Sequence, residues 1–573
     1  MFKVLKVFYS FVFKKRFVFT GFLFLVIISN VLFSLNPIFY KKFVDSIPSL
    51  NFDSLLNILL LYMAVRVSAV IIDMLTFWIG DYILFQTSID ARVTIFKKVQ
   101  DLDFAFHTEK STGSLISAFK RGDSAFFSFF HDIHHRMLGV FISFIVMVYF
   151  FTSLDPFIMI MAIGSLIATL AVTKFLIANN VNKRKFFNED EDKISGIITD
   201  NLINFETVKL FAKENWEENR LKDNFKSWLN TLWGYGNSFR LIDGTMGAII
   251  NLSIFIILYL TIGETVNLRL TIGEFVLITG FLSNFYPKLW DLVWGTRDLA
   301  KNYADIEKYF ELLDHEIEVK DPEHPISLKS VLGQIEFINV SHSYKGGTKN
   351  AIRNLELKIN RGESIAFVGR SGSGKTTITK LLMRFFDPTI GNIKIDEINI
   401  KNFNKSTLRG YFGVVPQEPV LFNNTIGYNI AYGASSSQGV TLQVAAKLAN
   451  ISNFIESLPQ KYETNVGERG IKLSGGQKQR LAIARMIMSN PDIIIFDEAT
   501  SHLDSESEKL IQDAFWSYAK NKTTIVIAHR LSTIAKVDRI VVLDKGKITE
   551  IGNHKELLNN KNGIYTKLWN IQK

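Results

Sequence analysis

The sequence predicts a two-part chain. An N-terminal all-α transmembrane domain of six helices with long cytoplasmic extensions precedes a C-terminal α/β domain built round a glycine-rich phosphate loop. Three observations carry this. Long apolar runs fill the chain as far as Phe310 and then cease. Beyond them, short β-branched runs alternate with amphipathic stretches, the pattern of a parallel α/β sheet. Between the two, Asp314–Leu332 contains DPEHP and no long apolar run, and reads as a linker. The expected boundaries are 1–312 for the membrane region, 313–333 for the linker and 334–573 for the α/β domain.

Composition agrees with a membrane chain. Of 573 residues, 47% are hydrophobic and 49 are Phe, more than an ordinary soluble enzyme carries. The net charge of +10 raises nucleic acid as a partner. Lys/Arg excess on cytoplasmic loops explains it better, so no nucleic acid is expected. The chain has no Cys, which excludes disulfides, thiolate nucleophiles and Cys-based metal sites. The start, MFKVLKVFYSFVFKKRF, is basic and apolar and reads as an interfacial helix leading into a retained span.

Six runs are long or apolar enough to suggest spans: Phe17–Tyr40, Leu55–Phe85, Met137–Thr152, Phe157–Ala178, Leu241–Ile262 and Ile272–Trp294. The gaps between them are unequal. Gln86–Arg136 and Asn179–Arg240 are long and rich in Lys and Arg, so they and both termini are placed on the cytoplasmic side. An inner, bacterial-type membrane is the expected location. The long gaps keep helical periodicity. In NFETVKLFAKEN, Phe205, Val208 and Phe211 recur about once per turn. That stripe either packs on neighbouring helix extensions or forms a docking surface. The stretch DFAFHTEKSTGSL, with Phe104 and Phe106, reads the same way.

The α/β half carries the chemistry. In SIAFVGRSGSGKTTITKLL, an apolar strand runs into Gly369, Ser371, Gly372, Ser373 and Gly374, then into Lys375, Thr376, Thr377 and a helix. Backbone N–H groups of such a loop wrap phosphate oxygens, and the helix N-terminus adds its dipole. Lys375 is expected to reach the β- and γ-phosphates and the Thr376 hydroxyl to ligate Mg²⁺, making ATP and Mg²⁺ the cofactors. In PDIIIFDEATSHLD, Asp497 ends a buried strand and suits Mg²⁺, and Glu498 is the candidate base for the attacking water. A lone acidic pair is usually only solvated; this one ends a strand downstream of the phosphate loop. His529 in TTIVIAHRLS and Gln417 in VVPQEP follow further apolar runs and fit the same sheet edge. His529 is expected to meet the γ-phosphate, and Gln417 the metal or the water. Tyr344 is either an adenine-stacking ring or a packing residue.

The ordered set Tyr344, GRSGSGKTT, VVPQEP, NVGERG with Glu468, LSGGQKQR, IIIFDEATSHLD and IAHRLS resembles the nucleotide-binding domain of ABC transporters. With the six-span half before it, the whole chain resembles an ABC exporter half-transporter of the multidrug and lipid-flipping type. The resemblance implies that Ser474, Gly475, Gly476 and Gln477 cap ATP held by the Lys375 loop of a second chain. A dimer is then required, with a homodimer simplest and a heterodimer open. It also implies that the segments near Phe104–Thr112 and Phe205–Phe211 are coupling helices. Two departures stand out. His502 occupies a place where the family commonly has a small residue, leaving Asp504 in register. Glu397 in NIKIDEINI sits where a turn glycine is common.

The expected activity is ATP hydrolysis driving a hydrophobic or amphipathic substrate out of the cytoplasm or inner leaflet by alternating access. An ATP-gated channel or receptor, and a non-transporting ABC ATPase, are the competing classes. Arg66, Asn251 and Asn284 fall inside spans and are candidates for a substrate cavity, although interhelical hydrogen bonding explains the two Asn equally well. In HDIHH, His131 and His135 have the i, i+4 spacing of a metal pair but lack an evident third ligand.

Overall fold

Helix length sets the first unit. The computed structural model describes residues 2–49, 51–110, 112–344, 350–434, 440–497, 505–527 and 534–572. Helix α1 (Phe2–Val12) buries Val4, Phe8, Phe11 and Val12 and exposes Lys3 and Lys6, an amphipathic face pattern. A 3₁₀ turn, Phe13–Lys15, leads into α2 (Arg16–Ser34) and α3 (Asn36–Ser46). Pro37, within the first turn of α3, marks the break between those two helices. The Asn51 side chain caps α4 (Phe52–Asp101). Next come the short α5 (Phe104–Glu109), then α6 (Thr112–His131), a π-helical turn over Asp132–Met137, and α7 (Leu138–Leu154). Asp155 caps α8 (Pro156–Ile203), which is followed by α9 (Phe205–Leu210) and α10 (Glu214–Val266). A Thr271–Glu274 capping box opens α11 (Ile272–Asp314).

Among the described residues, five helical stretches are long and apolar enough to cross a membrane: Lys3–Ser46, Phe52–Asp101, Leu115–Leu154, Pro156–Ile203 and Glu214–Val266. The sixth expected run, Ile272–Trp294, is helical within α11 but does not meet that test; it carries Glu274, Lys288 and Asp291. The charged gaps, which keep helical periodicity in sequence, are largely helix, as the expected cytoplasmic extensions require. At 50 residues, α4 is about 75 Å long, against about 30 Å of bilayer hydrocarbon. The helices therefore run on well beyond any membrane.

The chain divides into two compact units. One is Met1–Leu102 with Lys110–His315; the other is Asp103–Glu109 with Glu316–Lys573. The segment of α5 thus belongs to the second unit, while the chain on either side of it belongs to the first.

The second unit contains two sheets. A four-stranded antiparallel sheet has the order β2-β1-β4-β5, from β1 (Ile335–His342), β2 (Ile352–Ile359), β4 (Ile390–Ile395) and β5 (Ile398–Asn399). A six-stranded sheet has the order β10-β9-β3-β8-β7-β6, with β3 (Ser364–Val368), β6 (Phe412–Val415), β7 (Ile493–Asp497), β8 (Thr523–Ile527), β9 (Arg539–Asp544) and β10 (Lys547–Gly552). Strands β9, β3, β8, β7 and β6 are parallel, and β10 closes the edge antiparallel. Residues 493–496 of β7 and all of β8 are buried, as continuous Ile/Val/Thr runs require of strands covered on both faces. The β4–β5 hairpin turns at Asp396 and Glu397, with φ of 48° and 68°. The departure at Glu397 therefore places a side chain in the left-handed region, where a glycine is unstrained.

Candidate nucleotide site

Parallel strands put their carboxyl ends on one edge, and the site is built there. Phe367 of β3 pairs with Ile527 of β8, Ile527 with Asp497 of β7, and Phe496 with Val415 of β6. Gly369 follows β3, Asp497 ends β7 and Gln417 follows β6, so the register brings all three to one rim. Glu498, His502, Asp504 and His529 lie outside the described residues.

The phosphate loop passes from β3 into α12 (Lys375–Leu382). Gly374 precedes the helix with φ 109°, and a Cβ there would meet Ile352 Cδ1 at 2.7 Å and the Ala351 carbonyl at 2.8 Å. No side chain caps α12. Other helices of this unit are capped by Asn404, Thr425, Thr441, Ser474 or Asn553. The first N–H groups of α12 are thus left for an anion. Ser373 Oγ is buried without a partner. Lys375 is 5% exposed, and its Nζ donates to the Gly369 carbonyl at 2.7 Å and the Arg370 carbonyl at 3.2 Å. The ammonium is therefore held over the loop. Ser371, Gly372 and Thr376 are exposed, whereas Thr377 is buried with Oγ1 3.1 Å from the Tyr344 hydroxyl. Burial pushes the Asp497 carboxyl up, opposed by the Lys375 and Lys380 charges.

This set fits ATP with Mg²⁺. The loop amides and Lys375 would hold phosphate oxygens, and Thr376 and Asp497 would hold the metal. Mg²⁺ would supply charge neutralisation across the β- and γ-phosphates. Tyr344 packs edge-on against His342 and Phe386 at 5.1 and 5.2 Å between ring centres, and about a third of it stays exposed.

LSGGQKQR opens the helix Gly475–Met488. Ser474 Oγ accepts from the Gln477 amide at 3.3 Å, and Gln477 Oε1 accepts from the Ser474 amide at 2.9 Å. Ser474 and Gly475 are exposed; Gly476 is buried. The hydroxyl hydrogen of Ser474 is not used by this cap and stays available to a ligand. Sequence reasoning missed Gln479. Its Nε2 donates to the Gln417 carbonyl at 3.0 Å and the Pro416 carbonyl at 3.2 Å, fixing the Gln417 loop to this helix. It also missed Arg485, which donates to Asn429 Oδ1 at 2.8 Å, the Asn429 carbonyl at 2.9 Å and the Val420 carbonyl at 3.2 Å. Both are polar residues buried or half-buried on a helix. The clue available in sequence was a buried-face position occupied by a long hydrogen-bonding side chain.

The α5 segment is anchored in the same unit. Phe104 lies 5.0 Å from Phe385 and 6.1 Å from Phe386, and Lys380 of α12 sits 5.0 Å over its ring. Asp103 accepts hydrogen bonds from the Glu318 and Val319 amides. Phe106 is half-buried beside His107. Phe386 also meets Tyr344, so aromatic contacts run from α5 to the adenine candidate. By contrast α9 is open: Phe205 is 58%, Leu210 81% and Phe211 69% exposed, with Val208 half-buried. Two of the three stripe residues, Phe205 and Phe211, are therefore open, and Val208 alone keeps partial cover. Glu468 is exposed on a 3₁₀ turn, Glu468–Gly470.

In the first unit, Arg66 lies 5.2 Å over the Phe33 ring and Asn284 Nδ2 donates to the Phe33 carbonyl at 3.3 Å. Asn251 instead donates to the Gly247 carbonyl of its own helix at 2.8 Å. The structure thus joins two of these three residues at Phe33. The His131 and His135 rings are 5.1 Å apart, and no group of three or more metal-ligating side chains occurs among the described residues.

A helical membrane unit joined to a P-loop sheet, with a second glycine turn opening a capped helix, defines the class: an ATP-binding cassette protein with membrane helices. The descriptions "ABC transporter transmembrane region" and "ABC transporter" match residues 19–286 and 352–501. The chain belongs to the ABC transporter family, among its Atm1-type exporters. The ATM1-type heavy metal exporter of Novosphingobium aromaticivorans is 34% identical over 93% of this chain and 88% of its own length. Heavy metal tolerance factor 1 of Caenorhabditis elegans is 37% identical over 85% of this chain and 61% of its own. The solved structure of a bacterial Atm1-family ABC exporter with ATP bound superposes with a TM-score of 0.86 at 32% identity, covering 97% of this chain and 99% of that one. The chain spans about three fifths of the length of several curated relatives. It is an integral, multi-pass membrane protein.

Proposed function

We propose that the chain is one half of a dimeric exporter that hydrolyses ATP to move a hydrophobic or amphipathic compound out of the cytoplasm or inner leaflet. The observation that carries this is the exposed Ser474–Gly475 turn. It offers a hydroxyl and helix N-terminal amides to an anion, in a chain whose own phosphate loop is elsewhere. A second copy supplies that anion as ATP on its Lys375 loop. The open face of α9 supports the same partner. Burying Phe205, Leu210 and Phe211 there would contribute about 5 kcal/mol in all, at roughly 1.5–3 kcal/mol for each side chain.

In this reading Glu498 activates the attacking water, His529 contacts the γ-phosphate, and Asp504 lies at the seam. Closing the seam draws α5 and α9 together and turns the membrane helices outward. Opening follows when hydrolysis separates two negative products. Arg66 and Asn284 flank the substrate path near Phe33. The names of two relatives mention heavy metals. This chain has no Cys, so a soft metal would travel here inside an organic ligand and present itself as an amphipathic compound.

The test mixes two variants in sealed inverted vesicles. Ser474→Arg alone and Lys375→Ala alone abolish ATP-dependent uptake. A mixture of the two restores at most one working site per dimer. Normal hydrolysis by the Ser474→Arg chain alone refutes the shared site. A current that needs ATP binding but persists with Glu498→Gln marks a gated channel instead.

A further inference from the structure

A groove of about 570 Å³ lies on the first unit, lined by Tyr9 of α1, Phe19, Leu23 and Ile27 of α2, and the π-helical turn with the start of α7. We propose that it binds one acyl chain of an anionic glycerophospholipid, with the lipid phosphate held by Lys15 and Arg16. The site stands apart from the nucleotide chemistry and does not depend on it.

Three features converge. First, Arg16, Phe19, Leu23 and Ile27 are spaced i, i+3, i+7 and i+11, so the cation heads the same helical stripe that lines the groove. Eleven residues rise about 16 Å, close to the roughly 15 Å of hydrocarbon in one leaflet. The groove's own lining on α2 runs from Phe19 to Ile27, about 12 Å of that rise, and Arg16 lies one turn before it, so the slot fits within one leaflet with the cation at its head.

Second, the charge at that end is unbalanced. Lys14 pairs with Asp90 at 3.1 Å. Lys15 and Arg16 are exposed and have no carboxylate partner among the described residues. Two adjacent cations beside an apolar slot complement a phosphate followed by a hydrocarbon tail. Basic residues on an amphipathic entry helix mark a surface for anionic lipid.

Third, the polar end is prearranged. His134 is 3% exposed, and its Nδ1 donates to the Phe130 carbonyl at 2.9 Å. Its Nε2 is then the acceptor for the Tyr9 hydroxyl at 3.2 Å. This locks α1 to the π-helical turn and leaves the phenolic oxygen as an acceptor at the groove wall. The π turn, Asp132–Met137, places Ile133, His134 and Met137 on the groove. Such turns often occur at functional positions.

The test follows lipid retention by native mass spectrometry of the full chain in detergent, with added phosphatidylglycerol or phosphatidylcholine. Wild type retains one phosphatidylglycerol per chain and prefers it over phosphatidylcholine by more than tenfold. Lys15→Ala with Arg16→Ala removes the preference, about fivefold per cation, while phosphatidylcholine retention is unchanged. Ile27→Trp fills the slot from an exposed position and lowers retention of both lipids. Equal retention of the two lipids by wild type overturns the proposal, as does an unaffected double variant or an unaffected Ile27→Trp chain. Displacement by millimolar glycerol 3-phosphate also overturns it, because the groove would then play no part.

Discussion

Replacing Ser474 with Asp separates the two roles its position allows. As an N-cap, Ser474 closes a capping box with Gln477 at 2.9 and 3.3 Å. Asp caps a helix as well as Ser does and suits the N-terminal dipole, whereas Ala costs about 1 kcal/mol. As a ligand for the γ-phosphate, the two replacements rank the other way. Ala loses one charge-assisted hydrogen bond, about 1.5–3 kcal/mol. Asp sets a negative charge against a phosphate; two unit charges at about 4 Å repel by about 4 kcal/mol at an effective dielectric near 20. At 1.36 kcal/mol per tenfold, that slows turnover by several hundredfold. The assay pairs the thermal midpoint without nucleotide with ATP turnover of the reconstituted chain. The expected pattern is a wild-type midpoint with turnover down at least about a hundredfold for Ser474→Asp, and a lowered midpoint with a milder loss for Ser474→Ala. Wild-type turnover by Ser474→Asp would show that LSGGQKQR is a helix cap and nothing more.

Three further outcomes are expected. Glu397→Gly relieves a left-handed side chain at φ 68° and raises unfolding stability by about 1 kcal/mol in a denaturant melt; a lower stability contradicts the turn strain. Asp497→Asn tests a carboxyl that burial pushes up. A raised carboxyl contributes stability below its ordinary value, 3.8, that is lost as pH rises toward the shifted one. At pH 7 the nucleotide-free Asn variant should therefore melt higher than wild type, and Mg·ATP should no longer add stability; a lower apo midpoint counts against it. Phe104→Ala removes a ring contact worth about 0.5–1.5 kcal/mol and a cation–π contact of about 0.5–1 kcal/mol. ATPase activity in detergent should persist while vesicle transport falls at least tenfold; equal losses in both would place Phe104 in simple structural support.

Much of the second unit was legible because its signals are local. A phosphate loop needs a strand, glycines and a helix within about twenty residues, and an apolar run ending in acid announces the rim of a parallel sheet. The membrane helices were legible for the same reason, but their ends were not. Across Gln86–Arg136 charge replaces hydropathy, so the helical period was visible but the points where α4 ends and α6 begins were not. Helix continues where backbone bonds and side-chain packing favour it, whether or not the face meets lipid. Gln479 escaped notice because its importance lies in two carbonyls sixty residues away in sequence.

The two segments that look alike in sequence show where local reading stops. Both α5 and α9 are six-residue helices with an aromatic start between long charged stretches. Phe104 of α5 is packed by Phe385, Phe386 and Lys380, and the segment counts as part of the second unit. Phe205, Leu210 and Phe211 around α9 meet solvent. Nothing in six residues separates these fates, because each depends on a surface far along the chain or on another chain. The docked segment is a stretch of the membrane-region sequence held within the cassette's own unit. In the proposed dimer a second copy, whose exposed Ser474 turn would meet the first copy's ATP, would supply a covering surface for the open one.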